Sequence, residues 1–196
     1  MVVKKAYDAI TQLMYGNASY LSAKVSGSDI SPALRERLRD EGQKPIAVIL
    51  TCSDSRVVPE DIFMCGLGEL FVVRVAGNVA DEAQIASVVY AVEHLGVPLV
   101  MVLGHTHCGA VTAVMEGYED ESLAPLTSQI AEAIEGESDL ERACCLNALA
   151  SVERLREVPE LMELEDAGKL TMLAALYHIG SGRIEMLDQQ RGTTEA

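Results

Sequence analysis

The chain has 196 residues, of which 49% are hydrophobic and 23% charged, and its formal net charge is −15. This length suits one domain, and the apolar content is too high for an intrinsically disordered chain. The negative charge disfavours nucleic-acid binding, because it repels phosphates, and no apolar run reaches the roughly 18 residues that a membrane-spanning helix needs.

The first 40 residues are predicted to form a helical arm. Residues 3–21 show an amphipathic helical pattern, and a second helix is predicted from Ser31-Pro32 through Asp40, with serine as the N-cap and proline in the first turn. Because the N-terminus lacks the apolar core of a secretory signal, we expect a cytoplasmic protein. In that reducing compartment the five cysteines are expected to be buried, metal-binding or catalytic rather than disulfide-bonded.

Three apolar runs rich in β-formers follow, at residues 45–51, 70–76 and 98–104. Apolar runs of this length without strict alternation predict strands that are buried on both faces, as in parallel sheets. A helix is predicted between the second and third runs, at residues 81–95, and another begins after the third run, at residues 110–115.

The C-terminal half adds further helices and the last strands. One or two long helices are predicted over residues 127–157, and Pro159 interrupts that pattern. A fourth apolar run spans residues 169–179. The turn Gly180-Ser-Gly182 then leads into residues 183–187, which are predicted to be a hairpin partner at a sheet edge.

Strands that alternate with helices predict an α/β fold. We expect a single domain over residues 1–196, with a mostly parallel central sheet, an antiparallel edge strand and flanking helices. Residues 1–40 are its N-terminal helical arm and residues 41–196 its α/β core.

Reactive side chains follow the first and third predicted strands. Residues 51–56 read Thr-Cys-Ser-Asp-Ser-Arg, and residues 104–109 read Gly-His-Thr-His-Cys-Gly. Ligands collect beyond the carboxyl ends of parallel strands, so Cys52, His105 and Cys108 can converge on one ion if the two strands are neighbours. Two thiolates and one imidazole form a ligand set that favours zinc.

The number of ligands favours a catalytic zinc over a structural one. Structural zinc sites are usually closed by four Cys or His ligands, whereas these three ligands leave one position open for water. Two other interpretations remain. A zinc-stabilised interaction module would have a closed fourth position, and redox chemistry at Cys52 and Cys108 would form a reversible disulfide.

Together these segments resemble the β-class carbonic anhydrases, and more closely their plant-type subgroup. The resemblance rests on Cys-Ser-Asp-Ser-Arg at residues 52–56 followed, after a strand and a helix, by His-x-x-Cys-Gly at residues 105–109. Further matching blocks lie at residues 16–17, 43–45, 70–78, 90–92, 104–111 and 182–184.

The resemblance implies a carbonate dehydratase, which is a zinc lyase. Such an enzyme reversibly hydrates carbon dioxide to bicarbonate and a proton through zinc-bound hydroxide. Cys52, His105 and Cys108 would bind the zinc ion, and Asp54 and Arg56 would form a dyad beside it.

The resemblance also implies a small pocket built partly by a second subunit. Its positions match Gln43, Phe71, Tyr90 and Gly109. Because part of this pocket comes from a partner in the plant-type subgroup, we expect a homodimer or a larger homo-oligomer whose N-terminal helices pack on a partner subunit. Gln43 argues against the bicarbonate-inhibited subgroup, which lacks a glutamine there. From spacing alone, core packing would explain Phe71 and Tyr90.

Asp54 can play two roles, and Arg56 decides between them. Paired with Arg56, the carboxylate can accept a hydrogen bond from the zinc-bound water or hydroxide and orient its oxygen. Freed from Arg56, it would become a fourth ligand and close the site. Their spacing on an extended segment places both side chains on one side, so a charge-assisted pair is expected. An ordinary salt bridge that pins the loop is the alternative.

The zinc chemistry leaves one rival enzyme. Zinc lowers the pKa of its water from about 15.7 toward about 7, and two thiolates weaken that effect, so we infer a mildly alkaline optimum. A carbon disulfide or carbonyl sulfide hydrolase would share the zinc ion and the Asp54–Arg56 pair. His107 could carry protons or simply face solvent. No catalytic role is assigned to Cys65, His94, Cys144, Cys145 or His178.

Overall fold

The computed structural model describes residues 2–22 and 29–187. The helices within these residues are α1 (Val2–Ser22), α2 (Pro32–Glu41), α3 (Pro59–Ile62), α4 (Glu82–Leu95), α5 (Gly109–Met115), α6 (Ala124–Ala133), α7 (Leu140–Arg156) and α8 (Pro159–Asp166). The strands are β1 (Ala47–Cys52), β2 (Leu70–Val75), β3 (Leu99–His105), β4 (Thr171–Tyr177) and β5 (Ile184–Leu187).

The five strands form one sheet in the order β2-β1-β3-β4-β5. The first four are parallel and β5 runs antiparallel to β4, which confirms the predicted mostly parallel sheet with an antiparallel edge strand. Every residue of β1 and β3 is buried, because both strands are central and are covered on both faces. These two strands are adjacent, with Thr51 opposite Leu103.

Helices cover both faces of the sheet. Successive residues of β1 point to opposite faces, so Val48 and Leu50 pack with α4, α7 and α8, whereas Ile49 packs with α1 and α3. On the second face Leu13 and Phe63 are among the largest fully buried side chains. The apolar runs of the sequence therefore form a core on each side of the sheet.

Helix α1 packs one face against the sheet of its own chain. Ala6, Ala9 and Leu13 are buried on its inner face. The amide of Asn17, also buried, donates to the carbonyls of Ile62 and Gly182. The outer face of α1 exposes two tyrosines, Tyr7 and Tyr15. Packing of this helix on a partner subunit stays a prediction.

The helix boundaries follow local signals. Asp81 caps α4 through its side chain, and Gly96 ends it in the left-handed conformation. The stretch predicted as one or two helices over 127–157 is two, because Gly136 has a positive φ and Asp139 caps the start of α7. Pro159 starts helix α8. No helix in the described part of the chain is long and apolar enough to cross a bilayer.

Candidate metal centre

The ends of β1 and β3 bring the three predicted ligands together. Cys52 ends β1 and His105 ends β3, and these parallel neighbours finish at the same edge of the sheet. The hydroxyl of Thr51 donates to the carbonyl of Leu103 at 2.7 Å and ties the strands together there. Beyond β3 the chain turns at His107, with φ 57°, and places Cys108 directly before α5.

The donor atoms of Cys52, His105 and Cys108 lie within 4.8 Å of one another, and all three residues are buried. The two sulfurs are 4.0 Å apart. Zinc–sulfur bonds of about 2.3 Å in tetrahedral geometry place two sulfurs about 3.8 Å apart. The spacing therefore suits one zinc ion.

The imidazole of His105 is oriented as a metal ligand. Its Nδ1 lies 2.9 Å from the carbonyl oxygen of Thr106, so Nδ1 carries the proton and donates it. Its Nε2 is buried and has no hydrogen-bond partner among the residues that the structure describes. A buried nitrogen lone pair without a donor is costly, and a metal ion beside the two thiols removes that cost. The residues present thus fit zinc.

The two thiols do not ionise alike. Hydrogen-bond contact with the Cys108 sulfur lowers the pKa of Cys52. Its contact with the Cys52 sulfur, together with burial, raises the pKa of Cys108 well above the usual thiol range. Loss of the proton from both sulfurs is therefore unfavourable in the protein alone, and a cation in contact with them would make both anionic.

A backbone N–H also faces the first sulfur. The N–H of Gly77 donates to Sγ of Cys52 at 3.3 Å. Gly77 lies in the turn Ala76–Asn78 after β2, with φ 71°, and a Cβ there would lie 2.7 Å from Cδ1 of Ile130. This donor was not predicted from the sequence, although residues 70–78 form one of the blocks that match the family.

The predicted Asp54–Arg56 pair is present and is bidentate. Nε and Nη2 of Arg56 donate to the two carboxylate oxygens of Asp54 at 2.9 and 2.7 Å. This guanidinium holds the pKa of the Asp54 carboxyl well below its usual range. Oδ2 of Asp54 lies 4.0 Å from Nε2 of His105, so the ionised carboxylate stands at the edge of the ligand cluster.

A second arginine, Arg74 of β2, holds the loop that carries these residues. Its Nε donates to the carbonyl of Cys52 at 3.2 Å, and its Nη2 donates to the carbonyl of Asp54 at 2.7 Å. This role of Arg74 was not predicted from the sequence. The available signal was a charged residue inside an otherwise apolar strand, Leu-Phe-Val-Val-Arg-Val.

Of the predicted pocket residues, only Gly109 lies beside the ligands of its own chain, as the first residue of α5. Gln43 precedes β1. Phe71 pairs with Val48 near the start of the sheet, four residues and about 13 Å from the level of Cys52. The ring of Tyr90 lies 6.3 Å from that of Phe71 and is half exposed. The chain thus keeps these three side chains away from its own cluster.

The remaining candidate residues occupy separate positions. His107 is exposed, and its carbonyl accepts a hydrogen bond from Arg56. His178 pairs with Glu185 at 2.9 Å, and His94 packs against the ring of Tyr90. Cys65 and Cys144 are buried, and Cys145 is partly buried.

Comparisons with known proteins agree on one family. The family model for carbonic anhydrase matches residues 47–184. The carbonic anhydrase of Mycolicibacterium smegmatis is 34% identical over 185 residues, which cover 87% of this chain and 88% of that protein. Carbonic anhydrase 2 of Mycobacterium tuberculosis is 56% identical over 82 residues, covering 42% of this chain and 40% of that protein.

Solved structures give the same result. One of two tetrameric β-carbonic anhydrases from Sordaria macrospora matches with a TM-score of 0.72 and 27% identity, over 80% of this chain and 87% of that one. The β-carbonic anhydrase CcaA matches with a TM-score of 0.68 and 25% identity, over 91% of this chain and 95% of that one.

Proposed function

Because the chain belongs to the β-class carbonic anhydrases, we propose that Cys52, His105 and Cys108 hold its zinc ion and that Asp54 and Arg56 act beside it. The enzyme catalyses the zinc-dependent, reversible hydration of carbon dioxide. The observation that supports this residue assignment is the buried cluster of three donor atoms within 4.8 Å at the carboxyl end of the sheet.

The zinc ion and the Asp54 carboxylate have different roles in the reaction. Zinc, when bound, makes water acidic enough to supply hydroxide near neutral pH. Asp54 is ionised and can only accept hydrogen bonds, so a water molecule beside its Oδ2 must point a hydrogen at it. That orientation turns the water's lone pair away from the carboxylate and toward the carbon atom of the substrate.

Arg56 keeps Asp54 in this position. Both carboxylate oxygens are engaged by the guanidinium, and the backbone N–H of Arg56 also donates to Oδ1 at 2.9 Å. A carboxylate held by these hydrogen bonds stays away from the ligand cluster, so a zinc ion held by the three ligands would keep its fourth position for water. The closed arrangement, with Asp54 as a ligand, requires that these bonds break.

The test combines metal analysis with stopped-flow hydration assays. Wild type and Asp54→Ala should each contain about one zinc ion per chain, and only wild type should hydrate carbon dioxide rapidly. A zinc-loaded wild type that fails to hydrate carbon dioxide anywhere between about pH 7 and about pH 9 would contradict the assignment. Turnover of carbon disulfide, measured in parallel, addresses the hydrolase alternative, which the carbonic anhydrase relatives do not favour.

We further propose that the working enzyme is a homo-oligomer in which Gln43, Phe71 and Tyr90 of one subunit complete the pocket of its partner. Three observations support it. These residues lie far from the ligands of their own chain, Tyr90 is half exposed, and the Sordaria macrospora relatives are tetrameric. Membership of the plant-type subgroup, indicated by Gln43, belongs to the same proposal.

Subunit mixing tests this arrangement. In a mixed dimer of Asp54→Ala and Phe71→Ala chains, the Phe71→Ala chain keeps its own Asp54 and receives Phe71 from its partner. One site is then complete, so about half of the wild-type activity per mixed dimer should return. If Phe71 acted on its own subunit, neither site would be complete and mixing would restore nothing.

A cytoplasmic location and the single-domain division at residue 40 stay proposals as well. The five free thiols suit a reducing compartment. The burial of α1 against the sheet suits one folding unit. Fractionation of the producing cells and limited proteolysis around residue 40 would test the two proposals.

A further inference from the structure

The turn after β2 is buried and has a left-handed backbone. Gly77 has φ 71° and Asn78 has φ 48°, so two successive residues adopt left-handed conformations. Both are buried, with Asn78 only 1% exposed. Glycine and asparagine are the residue types that adopt this conformation most readily, and contacts from elsewhere in the fold also hold the turn.

Helix α7 supplies those contacts through two buried polar side chains. The amide of Asn147 donates to the carbonyl of Gly77 at 2.6 Å. The hydroxyl of Ser151 lies 3.0 Å from the carbonyl oxygen of Asn78 and 3.1 Å from that of Asn147. Residues four apart share one face of a helix, so Asn147 and Ser151 can hydrogen-bond to the consecutive carbonyls of Gly77 and Asn78.

The turn Ala76–Asn78 also contacts the metal centre. Gly77, whose carbonyl Asn147 holds, directs its own N–H at Sγ of Cys52 from 3.3 Å. Such a hydrogen bond withdraws charge from a thiolate and fixes the direction of its lone pairs. Groups that hydrogen-bond to a metal ligand in this way alter the affinity and reactivity of the metal ion.

We propose that Asn147 is a positioning residue of the zinc centre. It holds the carbonyl of Gly77, and through the Gly77 backbone it fixes the neighbouring peptide group whose N–H faces Cys52, which sets the orientation and donor strength of that sulfur. The Asn147 amide donates to the Gly77 carbonyl and not to a ligand sulfur. Its role depends on the turn that it holds and on the proposed assignment of Cys52 as a zinc ligand.

Cobalt(II) substitution reads out this role independently of catalysis. Thiolate-to-cobalt absorption in the near ultraviolet depends on the donor strength of the sulfur. In Asn147→Ala the Gly77 N–H loses its fixed direction, so this absorption should shift to lower energy. The zinc dissociation constant should rise about 10-fold.

Asn17→Ala is the matched control. Asn17 is an equally buried asparagine whose amide donates to two backbone carbonyls, but it lies on α1, against the face of the sheet opposite α7. Both variants lose a buried amide and should unfold at lower temperature. Only Asn147→Ala should change the cobalt spectrum.

The outcomes separate the two proposals. Wild type without thiolate-to-cobalt absorption would contradict the ligand assignment itself. A normal wild-type spectrum that is unchanged in Asn147→Ala, or shifted equally in Asn17→Ala, would overturn the role of Asn147 alone. If Asn147→Ala does not fold, Ser151→Ala takes its place. It should give a smaller shift in the same direction, and no shift would overturn the inference.

Discussion

The sulfurs of Cys52 and Cys108 lie 4.0 Å apart although their residues are 56 positions apart in the chain. The pairing of β1 with β3 produces this proximity, since Cys52 ends one strand and Cys108 follows the other by three residues. The separation is close to that of two sulfurs on one zinc ion, about 3.8 Å. The sheet thus sets the spacing of these two sulfurs.

Replacing a ligand should remove the metal. We expect Cys108→Ser to lose most of its zinc and its carbon dioxide hydration, because a hydroxyl is a much weaker zinc ligand than a thiolate. Cys145→Ser is the control, since Cys145 lies on α7 and is not part of the cluster. Zinc content by mass spectrometry and hydration by stopped flow check both variants. Full zinc occupancy in Cys108→Ser would contradict the assignment.

Removing zinc should expose one reactive thiol. Contact with the Cys108 sulfur lowers the pKa of Cys52, so Cys52 should be the first cysteine to react with iodoacetamide after chelation. Cys65 provides the comparison, because burial raises its pKa to about 12. Mass spectrometry should find Cys52 labelled only in metal-free protein. Labelling of Cys65 ahead of Cys52 would count against this picture.

Arg56→Ala should lower activity and alter the behaviour of Asp54. Without the guanidinium the pKa of the Asp54 carboxyl rises, and the carboxylate is free to approach the ligands. We expect hydration to fall by about 100-fold or more, within the range for positioned acid–base groups. Arg56→Lys keeps the charge but loses the bidentate contact, so it should fall between wild type and Arg56→Ala. Unchanged activity in Arg56→Ala would contradict the proposed role.

The same pair should make stability depend on pH. The folded pKa of Asp54 is depressed, so its contribution to the free energy of unfolding is present above the ordinary carboxyl pKa of about 3.9. That contribution is lost as pH falls through the lower folded value. The stability difference between metal-free wild type and metal-free Arg56→Ala, measured by urea denaturation, should therefore shrink from about pH 6 to about pH 3. A difference independent of pH would refute this linkage.

Arg74→Gln should lower the activity or the metal affinity of the centre, although Arg74 is not a ligand. It removes the two hydrogen bonds that hold the carbonyls of Cys52 and Asp54. Changes to such supporting contacts cost about 10- to 100-fold in activity or metal affinity, and we expect a loss in that range. Arg39→Gln is the control, because Arg39 pairs with Asp40 on an exposed helix. Equal effects in the two variants would show that the loop does not depend on Arg74.

Gly77→Ala should be more harmful than Gly96→Ala. Both glycines have nearly the same positive φ, 71° and 68°, so each alanine incurs about 1 kcal/mol or more of backbone strain. A Cβ at Gly96 meets nothing within 4 Å, whereas one at Gly77 would crowd Ile130. Thermal unfolding should show the larger loss for Gly77→Ala, and only that variant should lose activity. Equal losses would contradict the crowding argument.

The sequence was sufficient to predict the parts of the fold that depend on local pattern. The buried runs that became β1 and β3, and the two motifs at their ends, placed Cys52, His105 and Cys108 together correctly. The contacts of Arg74, Gly77 and Asn147 were not predicted, because each depends on which segment of a distant element comes to lie beside the site. The four-residue helix α3 was also missed, since it is too short for an apolar period.

The order of strands in the sheet has a consequence for how the protein matures. β2 follows β1 in the chain but lies at the outer edge, so β3 must cross back to the other side of β1 before Cys52 and His105 can share an ion. A nascent chain that has produced only β1 and β2 holds a single cysteine of the future triad. Three ligands for one ion are therefore available only after the crossover to β3 has formed, so tight metal binding at this site would depend on a nearly complete sheet.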